Sequence, residues 1–197
     1  MNIQYTFNQK KTDSQNYYFF KDGFSKEELL KIEKDVASIP FQDATTGGNS
    51  EQNKESRSSK IKWLPQDTQW YWLYEKLCNM AVEANDILWN FDLYSLPEYI
   101  QYTEYPASEG GHYHWHQDIG PDMLSLRKVS ITVQLSEDSD YEGGELEFNA
   151  GADQSLPAPR GIGTVVVFPS YMMHRVTKVT KGTRKSFVLW VGGGHYK

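Results

Sequence analysis

Cysteine is nearly missing: Cys78 is the one thiol in 197 residues. No disulfide can close within the chain, which excludes the stapled scaffolds of small secreted domains. Cys78 falls in a helical pattern, Leu77-Cys78-Asn79-Met80-Ala81, and reads as a small core residue. Basic residues are also short, with 20 Lys and Arg against 26 Asp and Glu, a net charge of −6 and a pI near 5.4. A chain without a basic excess is a poor general nucleic-acid binder. No apolar run approaches the roughly 18 residues that a membrane helix needs. The opening Met1 to Lys11 is polar and lacks the apolar centre of a signal peptide. The expectation is a cytoplasmic protein with neither nucleic acid nor membrane among its partners. There is no internal repeat. What the chain does have is 39% hydrophobic and 14% aromatic content, enough for a real core and contrary to disorder throughout.

Histidine is scarce as well, and unevenly spread. Three of the five fall at 112, 114 and 116, with Asp118 next in the alternation. In a strand, period two would place all four on one face. An exposed polar face is the plain reading of such a cluster. His116-Gln117-Asp118, however, can also deliver an imidazole nitrogen and a carboxylate oxygen to one metal ion. A catalytic metal needs a third ligand, and outside this stretch only His174 and His195 remain. His195 belongs to a glycine-rich tail and reads as a solvated terminal residue. His174 follows the apolar run ending at Phe168-Pro169, where a strand can return to the same end of a barrel. Two histidines and one carboxylate form the facial triad of non-haem Fe(II) oxygenases, with three adjacent positions open. Arg184 lies ten residues beyond His174, after a turn at Gly182. Its guanidinium fork suits a carboxylate lying beside the metal.

The rest of the chain supplies a frame. Tyr17 to Phe20 reads as a strand. Ser25-Lys26-Glu27-Glu28 is a capping-box pattern opening a helix through Ala37. Residues 42–60 are polar and read as a loop, or as a lid in which Arg57 and Lys60 touch an acidic substrate. Lys60 to Leu64 reads as a strand. A helix capped by Asp67 runs through about Asn85, with its stripe of Trp70, Trp72, Leu73, Leu77 and Met80 buttressing a sheet. Strands are then expected at 88–93, 98–105, 111–117, 128–135, 145–148, 163–168, 172–177 and 185–191. Short strands without intervening helices argue for a sandwich or jelly roll. Gly143-Gly144 reads as a turn that needs positive φ.

The second half, roughly residues 98–193, resembles the Fe(II)- and 2-oxoglutarate-dependent dioxygenases, specifically the prolyl 4-hydroxylase-like branch. The resemblance rests on an ordered set of motifs. These are Tyr105, Gly110 to Asp118, Val133-Gln134-Leu135-Ser136, Tyr141 to Leu146, Gly163 to Pro169, His174-Arg175-Val176 and Val179 to Arg184. It implies a mainly β chain with supporting helices (α+β): a double-stranded β-helix, or cupin-like jelly-roll barrel, packed by N-terminal helices. One domain, 1–197, is expected, with 1–95 as helical support and 96–197 as the catalytic core.

The resemblance also implies roles. His116, Asp118 and His174 would bind iron, and Arg184 the distal carboxylate of 2-oxoglutarate. Tyr105 would reach that carboxylate, with Tyr102 as a rival because the spacing to His116 is one residue longer than usual. Thr132 and Trp190 would lie beside the same co-substrate. Tyr113 and Trp115 stand as substrate contacts, although Trp115 falls on the opposite strand face. The implied chemistry consumes O₂, with ascorbate as an auxiliary reductant in this branch. It couples decarboxylation of 2-oxoglutarate to succinate and CO₂ with hydroxylation of a C–H bond. A prolyl residue of a peptide or protein is the expected substrate, with a free amino acid or small molecule as the alternative. A cupin-like enzyme without 2-oxoglutarate and a non-catalytic jelly-roll module are the competing readings.

Overall fold

The computed structural model describes residues 15–44, 53–151 and 154–196. Its first half holds β1 (Tyr18–Phe20), α1 (Lys26–Ala37), β2 (Gln42–Asp43), β3 (Arg57–Ser58), β4 (Lys60–Leu64) and α2 (Tyr71–Leu88). Next come β5 (Leu93–Ser95), β6 (Ile100–Pro106), β7 (His112–His116), β8 (Arg127–Gln134) and β9 (Tyr141–Gly143). The chain closes with β10 (Leu146–Gly151), β11 (Gln154–Pro157), β12 (Val165–Pro169), β13 (His174–Val176) and β14 (Val179–Gly193). Pairing is antiparallel throughout. The major sheet runs β1-β12-β8-β14-β6-β4-β2, with β5 and β9 also on β14; the minor sheet runs β11-β10-β13-β7-β3. This is the expected jelly roll, with the cavity described below between its two sheets.

The helices cover the outer face of the major sheet. In α1 the capping box forms as the sequence implies: the Glu28 amide donates to Ser25 Oγ at 3.3 Å and the Ser25 amide to Glu28 Oε2 at 2.7 Å. The same Glu28 pairs with Lys76 of α2 at 2.6 Å, tying the helices together. Leu73, Leu77, Ala81, Ala84 and Leu88 recur at three- and four-residue spacing and are buried along α2. The first four share a core with Val129, Ile131, Val133, Phe187 and Leu189 of β8 and β14. Each Val, Leu, Ile or Phe among them, fully buried, contributes about 1.5–3 kcal/mol.

Three expectations need correction. The strand expected at 88–93 is absent. Helix α2 continues to Leu88, and Asn85 then holds Phe91 through both amide atoms, accepting from its N–H at 2.8 Å and donating to its carbonyl at 3.0 Å. Asn90 turns the chain there with φ 54°. Asp67 caps the turn before α2 rather than α2 itself, accepting from the Gln69 and Trp70 amides, while Trp70 holds the N-cap position. Of the loop expected at 42–60, residues 45–52 lie outside the described residues. Its flanks are the strands β2 and β3, and Arg57 is buried rather than exposed.

Candidate metal centre and its cavity

The histidine stretch is β7, and its pairing with β13 is irregular. His116 faces His174, but Tyr113 faces Val176, so three steps on β7 match two on β13. This β-bulge leaves His114 and Trp115 both exposed and breaks the alternation. Tyr113 and His116 consequently share the inner face, their rings stacked with centroids 3.5 Å apart. His112 is displaced sideways onto the carbonyls of Gly110 and Glu55. His112 and His114 therefore do not join the cluster that period two alone would have given.

What remains is His116, Asp118 and His174, whose ligand-capable atoms all lie within 4.8 Å of one another. Asp118 Oδ1 is 3.7 Å from His116 Nε2, and Oδ2 is 3.7 Å from His174 Nε2. Both imidazoles are oriented from behind: Nδ1 of His116 meets the His114 carbonyl at 2.7 Å, and Nδ1 of His174 meets the Met172 carbonyl at 2.8 Å. A carbonyl only accepts, so each Nδ1 carries a proton and each Nε2 is the nitrogen turned toward Asp118. Ser130 Oγ donates to Asp118 Oδ2 at 2.6 Å and contacts Ser170 Oγ at 2.9 Å. Burial, and then the neighbouring His174, push His116 down to about 3, so it stays neutral. Burial works against ionising Asp118, but the two histidines, Ser130 and Arg127 outweigh it and hold the carboxyl below its usual range. A neutral His116 and an ionised Asp118 suit a divalent metal, which binds deprotonated ligands.

The triad opens on a cavity of about 170 Å³, whereas one ordered water needs only about 10–15 Å³. Tyr105, Tyr113, Thr132, Arg184 and Trp190 line it, bringing together five of the residues singled out in the sequence. Arg184 is 3% exposed, its guanidinium carbon 5.5 Å from the Tyr105 ring and its Nη1 3.3 Å from Ser186 Oγ. Gly144, at φ 64°, gives it room, since a Cβ there would approach Arg184 Cδ to 3.1 Å. No carboxylate pairs with Arg184 among the described residues, and a buried cation without a counter-charge is costly. An anionic ligand in the cavity would relieve that cost. Trp190 is stacked under Arg127, whose guanidinium carbon is 3.7 Å from its ring centroid. Arg127 forks onto Glu98 with two bonds of 2.6 Å and reaches the Asp118 carbonyl at 3.0 Å.

Two expected contacts lie elsewhere. Tyr102 faces the other side of β6, its hydroxyl 2.6 Å from Glu104 and its ring against Phe187. An even-numbered residue on β6 cannot share the face of Tyr105. Trp115 does not line the cavity: it is 36% exposed on the outer side of the bulge, with Arg175 stacked over it. Arg57, which the sequence offers only as part of a loop or lid, lines the cavity itself; Glu98, Gln101 and Arg127 line it too, and Ser130 bonds Asp118, without any role read from the sequence. The alternation of Ser130, Thr132 and Gln134 within a run otherwise of Val and Ile is the signal that could have found one of them.

Comparison with known proteins points to one family. Residues 100–192 match the model of the 2OG-Fe(II) oxygenase superfamily, and over this stretch the chain is similar to that superfamily. A PKHD-type hydroxylase of Alteromonas mediterranea is 28% identical over 188 residues, spanning 86% of this chain and 75% of that one. A PKHD-type hydroxylase of Picosynechococcus is 52% identical over 64 residues, 32% of this chain and 28% of its own. Two solved folds are similar. One is a prolyl hydroxylase from Trichoplax adhaerens in complex with a hypoxia inducible factor oxygen degradation domain peptide fragment. It has TM-score 0.76 and 17% identity over 92% of this chain and 85% of that one. The other is a prolyl-4-hydroxylase of Pseudomonas putida, with TM-score 0.70 and 19% identity over 91% and 94%. A 2OG-Fe(II) oxygenase uses Fe(II), 2-oxoglutarate and O₂, and the donor set of His116, Asp118 and His174 fits the metal. No helix among the described residues is long and apolar enough to cross a membrane.

Proposed function

We propose that this oxygenase hydroxylates a prolyl residue of a peptide or protein, working as one domain over residues 1–197. In this reading His116, Asp118 and His174 hold Fe(II). Arg184, flanked by Tyr105 and Thr132, receives the distal carboxylate of 2-oxoglutarate. The observation that carries it is the placement of two histidines, a carboxylate and an uncompensated buried arginine in one cavity. The prolyl substrate is supported by the solved prolyl hydroxylases that share the fold, one of them holding a peptide. The single thiol favours a reducing, cytoplasmic setting, and ascorbate belongs in the assay as an auxiliary reductant.

Fe(II) held by His116, Asp118 and His174 would supply O₂ activation, with O₂ as the oxidant: one oxygen atom enters the substrate C–H bond and the other oxidises 2-oxoglutarate to succinate and CO₂. The protein's own work is positional. The carbonyls behind His116 and His174 fix both tautomers, and Ser130 fixes the Asp118 carboxylate. Arg184 provides a charged fork where a carboxylate would otherwise be buried unpaired. Trp190, Leu146, Phe168 and Val188 supply apolar wall that limits water at the centre. Tyr113, pushed up to about 12 by burial, stays protonated and can donate a hydrogen bond toward the cavity.

The test is an anaerobic titration of metal-free protein with Fe(II) and then 2-oxoglutarate. A weak visible charge-transfer band that needs both additions is expected. Air and proline-containing peptides should then give succinate and a mass gain of one oxygen. Tight metal binding without the band would overturn the co-substrate assignment, and succinate release without peptide oxidation would overturn the prolyl substrate.

A further inference from the structure

The chain has five arginines, at 57, 127, 160, 175 and 184. Three meet carboxylates: Arg127 pairs with Glu98, Arg160 with Asp138 and Glu145, and Arg175 with Glu147. The other two, Arg57 and Arg184, are the most deeply buried, at 6% and 3% exposed, and neither pairs with a carboxylate among the described residues. Both line the triad cavity. Under the reading above, 2-oxoglutarate accounts for Arg184 with one carboxylate and engages the metal with its keto-acid end. No charge of the co-substrate is left for Arg57.

Arg57 is built to hold its position. Its Nε donates to Ser59 Oγ at 2.8 Å and its Nη2 to Gln101 Oε1 at 2.7 Å, while Nη1 has no acceptor among the described residues. These neutral partners orient the fork without neutralising it. The guanidinium carbon sits 4.8 Å from the centroid of the Tyr113 ring, and that ring stacks on His116. A guanidinium, a phenol and an imidazole thus form one column ending at a metal-ligand candidate. Uncompensated charge, fixed geometry and a free donor facing a cavity are the features of a preformed carboxylate receptor.

We propose that Arg57 binds a carboxylate of the substrate, so that the enzyme selects an anionic substrate over its neutral counterpart. The carboxylate comes either from an acidic side chain next to the hydroxylated residue or from a peptide C-terminus. The proposal rests on the hydroxylase reading and deepens it by naming the charge of the substrate.

The test is calorimetric titration of protein loaded with Mn(II) and 2-oxoglutarate. The probes are two matched pairs: acetyl-Gly-Pro-Asp-Gly-amide against its Asn counterpart, and acetyl-Gly-Pro as free acid against its amide. In one pair the acid should bind about thirtyfold more tightly, the lower end of the loss when one partner of a buried, hydrogen-bonded charge pair is removed. The responding pair identifies the source of the carboxylate. Arg57→Gln should erase the difference and leave 2-oxoglutarate affinity unchanged, and Arg57→Lys should retain part of it. Equal binding of acid and amide by the wild-type protein, or no binding of any probe, overturns the proposal without reference to a variant. So does a preference that persists in Arg57→Gln, or a loss of 2-oxoglutarate affinity in that variant. Acid-selective binding followed by no oxygen incorporation with Fe(II) upholds the role of Arg57 and removes only the prolyl reading.

Discussion

Strand β8 is buried from end to end, yet its two faces differ in kind. Val129, Ile131 and Val133 point out to the helices and join the apolar core, whereas Ser130, Thr132 and Gln134 point the other way. Its neighbour β14 repeats the pattern, with Phe187, Leu189 and Val191 outward and Arg184, Ser186, Val188 and Trp190 lining the cavity. Burial therefore does not separate scaffold from site in this molecule. The polarity of what is buried does. Apolar side chains gain by leaving water, but buried polar ones cost free energy unless each has a partner. Along the inner face those partners are one another, as in Ser130 with Asp118, or are missing, as for the charge of Arg184.

Substitutions on the inner face should remove chemistry without unfolding the protein, and those on the outer face the reverse. Asp118→Ala carries the largest effect: turnover abolished and metal affinity lost, with far-ultraviolet circular dichroism unchanged. Retained metal binding in that variant would sink the triad. Arg184→Ala should leave metal binding intact but weaken 2-oxoglutarate binding several hundredfold, following the about 3–5 kcal/mol lost when a buried charge pair is broken; titration of the visible band measures it. On the outer face, Leu189→Ala should lower unfolding free energy by about 2–5 kcal/mol in urea and leave 2-oxoglutarate affinity as it was. Ser130→Ala is expected to cost about 10–100-fold in metal affinity, as for other residues that orient a metal ligand, with little change in melting temperature.

A further effect lies in pH. His116 is held at about 3 in the fold, against 6.5 when unfolded. Between those values the unfolded chain binds the extra proton, so metal-free protein loses stability as pH falls through that window, by at most about 1.4 kcal/mol per pH unit from this group. His116→Gln should flatten that slope in urea titrations, and Leu189→Ala should leave it unchanged.

The sequence carried the outer face well, because helix caps and apolar spacing are local signals. Ser25 with Glu28, and the Leu73-Leu77-Ala81 stripe, could be placed without any tertiary knowledge. It also carried His116, Asp118 and His174, whose spacing is an ordered motif. It did not carry the bulge, since nothing in His112 to His116 marks where alternation fails. Tyr102 and Trp115 lie outside the cavity for two reasons no local pattern shows: strand parity turns the first away, and the bulge turns the second outward. Arg57 sits in a polar stretch that looks like loop, and only its pairing across β7 and β6 buries it. Contacts made over 44 residues, such as Arg57 with Gln101, leave no local trace.

The β7 bulge decides what stands beside His116. An unbroken strand would have carried His112, His114 and His116 along one wall, a row of imidazoles about 7 Å apart. With one residue inserted, the Tyr113 ring takes the neighbouring place and covers a face of the His116 imidazole. A row of titratable groups is thereby exchanged for an aromatic wall.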